Sequence, residues 1–138
     1  MVDGTILTGD YYEKDGEYRI GISSPIKDND QILQVLSVKN KAISTKGIYQ
    51  NSYTYQNVDY SNIISPFTLM LINNKTSVTV VAPNALEAEI LATELFIMDI
   101  DKGLELVNNN KDYEALWCFM TEDNQNKCIR SKGFDNFN

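Results

Sequence analysis

The stretch Ser77–Leu106, SVTVVAPNALEAEILATELFIMDIDKGLEL, decides the fold. Ser77–Ala82 is short, β-branched and bounded by turn residues, as a strand requires. Pro83 ends it. Asn84 is a good helix N-cap, and Glu87 stands three residues on, where a capping box puts its acid. From Ala85 to about Met98 the composition favours helix. Leu86, Ile90 and Ile97, with Ala88, Leu91, Leu95 and Met98, are expected to form a broad apolar face. Asp101 is expected to cap a second helix running to about Asn108.

Strand patterns flank this unit. Glu114–Met120 (EALWCFM) reads as a strand, Asp123-Asn124 as a turn and Lys127–Arg130 as a last strand. Upstream, Tyr18–Ser23 (YRIGIS) places Tyr18, Ile20 and Ile22 on one face, after the turn residues Lys14-Asp15-Gly16. Ile32–Val38 and Lys41–Thr45 follow, with Lys39-Asn40 as a turn between them and Lys46-Gly47 as a break. Ile48–Tyr60 is polar and tyrosine-rich. No basic residues flank Tyr53 and Tyr55, so a hairpin of β-favouring aromatics is a better reading than a base-stacking platform. Several strands, two helices, then two strands give an α+β fold: an antiparallel sheet with a helix pair on one face. No repeat or linker divides residues 1–138, which read as one domain with a core of two layers at most.

Composition excludes several functions. The net charge is -7, which disfavours nonspecific binding to nucleic acid or anionic membrane. There is no histidine, so serine–histidine triads, cysteine–histidine dyads and HExxH zinc sites are ruled out. No run is long and apolar enough for a transmembrane helix, and Met1–Gly9 lacks the basic start and apolar core of a signal peptide. Cys118 and Cys128 lie on strands expected to be adjacent. A disulfide between them and a pair of buried free thiols are both compatible with the sequence.

Among residues that could carry chemistry, Glu89 and Thr93 stand one helical turn apart on one face. A carboxylate and a hydroxyl are hard oxygen donors of the kind magnesium or calcium takes, and Ala88 and Ala92 beside them leave room for a ligand. Solvated helix faces carry the same spacing. The segment Ser44-Thr45-Lys46-Gly47, read as a loop, offers amides and a lysine to a phosphate but lacks the full glycine pattern of a phosphate loop. Asn62-Ile63-Ile64-Ser65-Pro66 reads as an extended segment ending in a turn.

In their order these pieces resemble the FAD:protein FMN transferase family, also called the ApbE or thiamine-biosynthesis lipoprotein family. EYRIGISSP (Glu17–Pro25) is similar to the family's W-x-I/V-G-I-x-D-P, and KAISTKGIYQNSY (Lys41–Tyr53) to A-V-A-T-S-G-x-Y. YSNIISPFT (Tyr60–Thr68) sits where the family has Y-x-H-I-I/L-D-P-x-T-G. Ser77–Leu106 matches V-T-V-x-A, then A-x-x-A-D-A-L-A-T-A-L-F, then G-x-x-x-A/G-L, and SKGF (Ser131–Phe134) resembles a closing strand.

The resemblance implies the C-terminal half of a T-fold-like flavin transferase, whose members bind FAD and magnesium and move FMN onto a threonine of a flavoprotein target. It implies Glu89 and Thr93 as metal ligands, with glutamate where the family has aspartate. It brings Thr45, Lys46, Gly47 and Asn62 towards the cofactor. It also marks departures: Asn62 for histidine, Ser65 for aspartate, Lys46 for serine and Leu69 for glycine. The Asp3-Gly4-Thr5 stretch lacks the family's double glycine. The expectation is therefore a degenerate or partial member without independent transferase activity. It would carry residual flavin or metal binding and pair as a homodimer or with a separate N-terminal half. The alternatives are an active magnesium-dependent transferase assembled from two chains and a non-catalytic interaction module. Family members are usually exported and lipid-anchored, while this chain as written shows no export segment.

Overall fold

The computed structural model describes residues 4–10, 16–25, 31–48, 53–121, 123 and 125–137. Its elements are β1 (Thr5–Leu7), β2 (Tyr18–Ser23), β3 (Ile32–Val38), β4 (Ala42–Gly47), β5 (Tyr53–Tyr55), β6 (Val58–Tyr60), β7 (Ser77–Ala82), α1 (Ala85–Ile97), α2 (Ile100–Asn108), β8 (Glu114–Met120), β9 (Asn126–Arg130) and a 3-10 turn (Phe134–Phe137). The antiparallel main sheet runs β1-β4-β7-β8-β9, and α1 packs on β4 and β7, giving the expected α+β class.

β7 lies at the sheet's centre and is buried at every residue. Alternation splits its side chains between two cores. Val78, Val80 and Ala82 pack with Ala88, Leu91, Ala92, Leu95 and Phe96 of α1. Val81 joins Ile43, Leu116 and Cys118 on the opposite face, where Ile22, Leu36 and Val38 of the β2–β3 hairpin cover them with Phe134. The hairpin therefore forms a third layer, which corrects the two-layer expectation. Among the described residues β2 and β3 pair only with each other, so the turn at Asn40 (φ 51°) carries the chain from hairpin to main sheet without pairing β3 to β4.

α1 begins where expected. Asn84 Oδ1 accepts from the Glu87 amide at 3.0 Å, and Asn84 Nδ2 donates to Glu87 Oε1 at 2.7 Å. The apolar face is narrower than the sequence suggests. Leu86 and Ile90 are 70% and 50% exposed, because they point away from the Ala88–Leu91–Ala92–Leu95 stripe that meets the sheet. The last turn of α1 contains no basic residue, and Lys75 supplies one from outside. Its buried ammonium donates to the Phe96 carbonyl at 3.2 Å and to Asn74 Oδ1 at 3.3 Å. Burial lowers the Lys75 pKa, and the charge of Asp99 opposes that effect in part.

α2 starts earlier than expected. Asp99 takes the N-cap position and Asp101 falls in the first turn, since Ile100 already packs against the α1-side core. At Gly103 an added Cβ would lie 3.0 Å from Trp117 Cζ2 and 3.1 Å from Leu95 Cδ2, so glycine is what brings α2 onto β8. Ser131–Phe134 is not a strand. Ser131 Oγ and the Gly133 amide both donate to Glu114 Oε2, which turns the chain into the 3-10 segment. Cys118 and Cys128 face each other across β8 and β9 and are joined in a disulfide, so of the two readings left open the bridge holds.

The polar stretch before β7 makes the β5–β6 hairpin, with Gln56 and Asn57 both at positive φ and the Tyr53 and Tyr60 rings stacked at 5.9 Å. Residues 49–52 of that stretch lie outside the described residues, as do Lys14, Asp15 and Asn124 of the expected turns. The following segment doubles back through an Ile64–Leu71 bridge. The Leu69 amide donates to the Ser65 carbonyl at 2.8 Å and the Ser65 amide to the Met70 carbonyl at 2.9 Å. Leu69 sits at φ 57°, the left-handed region, at the position where the family pattern has glycine. A left-handed L-residue costs about 1–2 kcal/mol. Glycine gives back roughly 0.5–1 kcal/mol of that through chain entropy. Leu69→Gly is therefore expected to stabilise the protein by about 0.5–1 kcal/mol, read as a raised midpoint in urea. Leu69 is 80% exposed, so little packing is lost; a lowered midpoint would refute this account.

Candidate functional site

β1 and β4 pair so that Thr5 lies opposite Ser44, and strand alternation puts Lys46 on the same face as Ser44, towards α1. Glu89 projects from α1 into this group. Ser44 Oγ donates to Glu89 Oε2 at 2.7 Å. Thr5 Oγ1 donates to the same oxygen at 2.6 Å and lies 3.0 Å from Ser44 Oγ. The Lys46 ammonium forms a salt bridge with the other carboxylate oxygen, Oε1. Both side chains are partly buried, with 17% of Lys46 and 35% of Glu89 exposed. Burial pushes the Glu89 pKa up, but hydrogen bonds from Lys46, Thr5 and Ser44 and the Lys46 charge outweigh it. The carboxyl is held below its ordinary value and stays ionised.

The other expected site residues do not converge here. Thr93 Oγ1 donates to the Glu89 main-chain carbonyl at 3.0 Å, so its hydroxyl serves the helix backbone. Thr45 points to the opposite face of the sheet, where its hydroxyl meets that of Thr79 at 2.9 Å. Gly47 pairs with Ser77, so Ser44–Gly47 is ladder strand and not the expected loop. The break expected at Lys46-Gly47 is absent because β7 continues the pairing. Asn62 is exposed in the segment after β6.

Sequence reasoning missed two features. Thr5 belongs to a strand too short to show a pattern. Ser44 was legible in principle, since period two puts it on the Lys46 face. The second feature is an open cleft of about 600 Å³ at the C-terminal end of α1. Tyr60, Ser65, Phe67, Met70, Met98 and Asp99 are among its lining residues. Its size suits a small-molecule ligand. Glu89 lies outside it, more than two helical turns back along α1.

The family model described as "ApbE family" matches residues 2–117. The chain belongs to the ApbE family. An FAD:protein FMN transferase of Vibrio cholerae is 35% identical over 95 residues, covering 68% of this chain and 28% of that protein. The Escherichia coli K12 relative of the same name is 31% identical over 121 residues, 87% of this chain and 34% of its own length. The crystal structure of the Thermotoga maritima ApbE protein superposes with a TM-score of 0.74 at 27% identity, covering 88% of this chain and 38% of that one. The V. cholerae flavin transferase ApbE gives 0.70 at 29% identity, covering 91% and 40%. This ApbE-family chain thus spans about a third of the curated relatives it matches.

The resemblance implies magnesium at Glu89 and Thr93. Magnesium requires several hard oxygens and a net negative site. Here one carboxylate is neutralised by an ammonium, and the Thr93 hydroxyl donates into the backbone. Among the described residues no group of three or more cysteine, aspartate or glutamate side chains gathers to hold a metal. As arranged, these residues do not fit a divalent cation. Nor is any helix among the described residues long and apolar enough to cross a membrane.

Proposed function

We propose that this ApbE-family chain engages a flavin nucleotide without transferring FMN on its own. The observation that carries the reading is the state of Glu89. The one carboxylate at the family's metal position is neutralised by Lys46 and accepts two hydroxyl protons. Phosphoryl transfer depends on positioning and charge neutralisation at the reacting phosphate. A carboxylate already engaged in this way brings neither a base nor a charged metal ligand. Asn62 and Ser65 replace the family's histidine and aspartate, and Ser65 Oγ accepts from the Phe67 amide at 3.3 Å within its own loop.

The nucleotide is assigned to the cleft. Tyr60, Phe67, Met70 and Met98 offer apolar and aromatic surface for a planar ring, and Lys102, which also lines the cleft, is paired with Asp99 at 3.4 Å. The amides of Thr45–Gly47 lie in a strand and are poorly placed to cradle a phosphate. The test incubates the chain with FAD, magnesium and a threonine-bearing flavoprotein target, then looks for flavin fluorescence in a denaturing gel. Quenching of free FAD without a covalent band is expected. A covalent band overturns the reading.

A second reading is favoured by the surface. Leu86 and Ile90 on α1, and Phe67 (84% exposed) and Met70 (67% exposed) beside the cleft, are large apolar side chains in the open. They suit contact with the part of the family fold that this chain does not span. In that assembly, transfer would need both parts. Adding the N-terminal portion of a relative to the same assay would then produce the covalent band. Ultracentrifugation of the chain alone reports whether a second copy covers the surface instead.

A further inference from the structure

We propose that Lys46 is a built-in cation, occupying from within the chain the position that a divalent metal would take on Glu89, and that it closes this site to magnesium. The inference takes the family's metal position from the reading above, but needs neither flavin binding nor transfer. Three observations carry it.

First, the two carboxylate oxygens are already divided. Oε1 meets the Lys46 ammonium, and Oε2 accepts from Thr5 and Ser44. A carboxylate offers about four lone-pair sites in all, and three are taken. Second, the donors come from two strands whose register is fixed by pairing: Thr5 opposite Ser44, and Ser44 opposite Val80 of the buried central strand. The arrangement belongs to the sheet and not to a loose surface pair. Third, the next oxygen along the helix face, Thr93 Oγ1, points its proton at the Glu89 carbonyl.

A magnesium ion entering here would have to expel an ammonium that is only 17% exposed and then sit beside it. Like charges at that range repel, and moving the lysine strips Glu89 of its partner.

The experiment is thermal unfolding of the whole chain in chelator and in increasing magnesium. It compares wild type with Lys46→Ser, which restores the hydroxyl of the family pattern, and with Lys46→Gln, which keeps the stem and removes the charge. Lys46→Ser/Glu89→Gln serves as the control. Wild type is expected to show no saturable shift. The single variants are expected to gain a saturable rise in Tm of roughly 5–10 °C once magnesium is well above its Kd, absent from the double variant. Calorimetric titration of wild type with magnesium gives an independent reading. Saturable magnesium binding by wild type that Glu89→Gln abolishes overturns the proposal. So does a Lys46→Ser or Lys46→Gln protein that folds and gains no magnesium response. Neither outcome bears on whether FAD is transferred.

Discussion

Trp117→Ala is expected to lower the unfolding free energy by about 3–5 kcal/mol. Trp117 is fully buried on the helix side of β8, next to β7 and β9 and opposite Val78 and Ile129. It is also what α2 lies against, since a Cβ at Gly103 would touch its ring. Truncation leaves a cavity between sheet and helix pair that the flanking strands cannot collapse to fill. A domain is stable by about 5–15 kcal/mol in all, so this loss consumes much of it. Trp117→Phe makes the sharper comparison. The indole Nε1 finds no hydrogen-bond partner among the described residues, and an orphan buried donor costs about 1–3 kcal/mol. Phenylalanine removes that donor along with some area, so its net loss is expected to be a small fraction of alanine's. Urea denaturation reads both. An alanine variant within about 1 kcal/mol of wild type would show that the helix pair does not depend on this ring.

The parts of the fold legible in the sequence are those set by neighbours along the chain. Asn84 starts α1 because its side chain reaches only the next turn, and β7 ends at Pro83 because proline cannot extend a ladder. What covers each element was less legible. α1 is apolar around much of its circumference, so its pattern did not reveal that Leu86 and Ile90 face outward. The all-buried run of β7 is what a doubly covered strand looks like, yet nothing local names the β2–β3 hairpin as the cover. The site follows the same rule. Helix spacing pairs Glu89 with Thr93, but the groups that hold the carboxylate come from β1 and β4, 84 and 45 positions away for Thr5 and Ser44. The lysine that departs from the family's serine reads in isolation as a loss. Beside Glu89 it is the carboxylate's ion-pair partner.

Reduction of the Cys118–Cys128 bridge is expected to cost about 2–3 kcal/mol. The bridge closes a short loop, with a sequence separation of 10, so the entropy it removes from the unfolded chain lies at the lower end of the disulfide range. Its structural effect is concentrated on β9. Among the described residues that strand is the outer edge of the sheet, pairs only with β8, and is at best half-buried along its length. Cys118 by contrast is buried among Leu116, Val81 and Phe134. The bond therefore ties a weakly held edge to the core. In thermal unfolding, reductant or a Cys118→Ala/Cys128→Ala variant should lower Tm by roughly 4–12 °C, at about 2–4 °C per kcal/mol for a domain approaching 150 residues. Amide exchange should rise first in Asn126–Arg130 and leave β7 protected. Alkylation of the native protein without reductant should label neither thiol. Labelling of both, or an unchanged Tm after reduction, would mean that pairing with β8 alone secures the edge. The bond matters more than its modest entropy suggests because Ser131 and Gly133, which follow β9 directly, anchor on Glu114 of β8. Loosening the strand pulls on that anchor and on Phe134, and so opens the hairpin-side core from its edge.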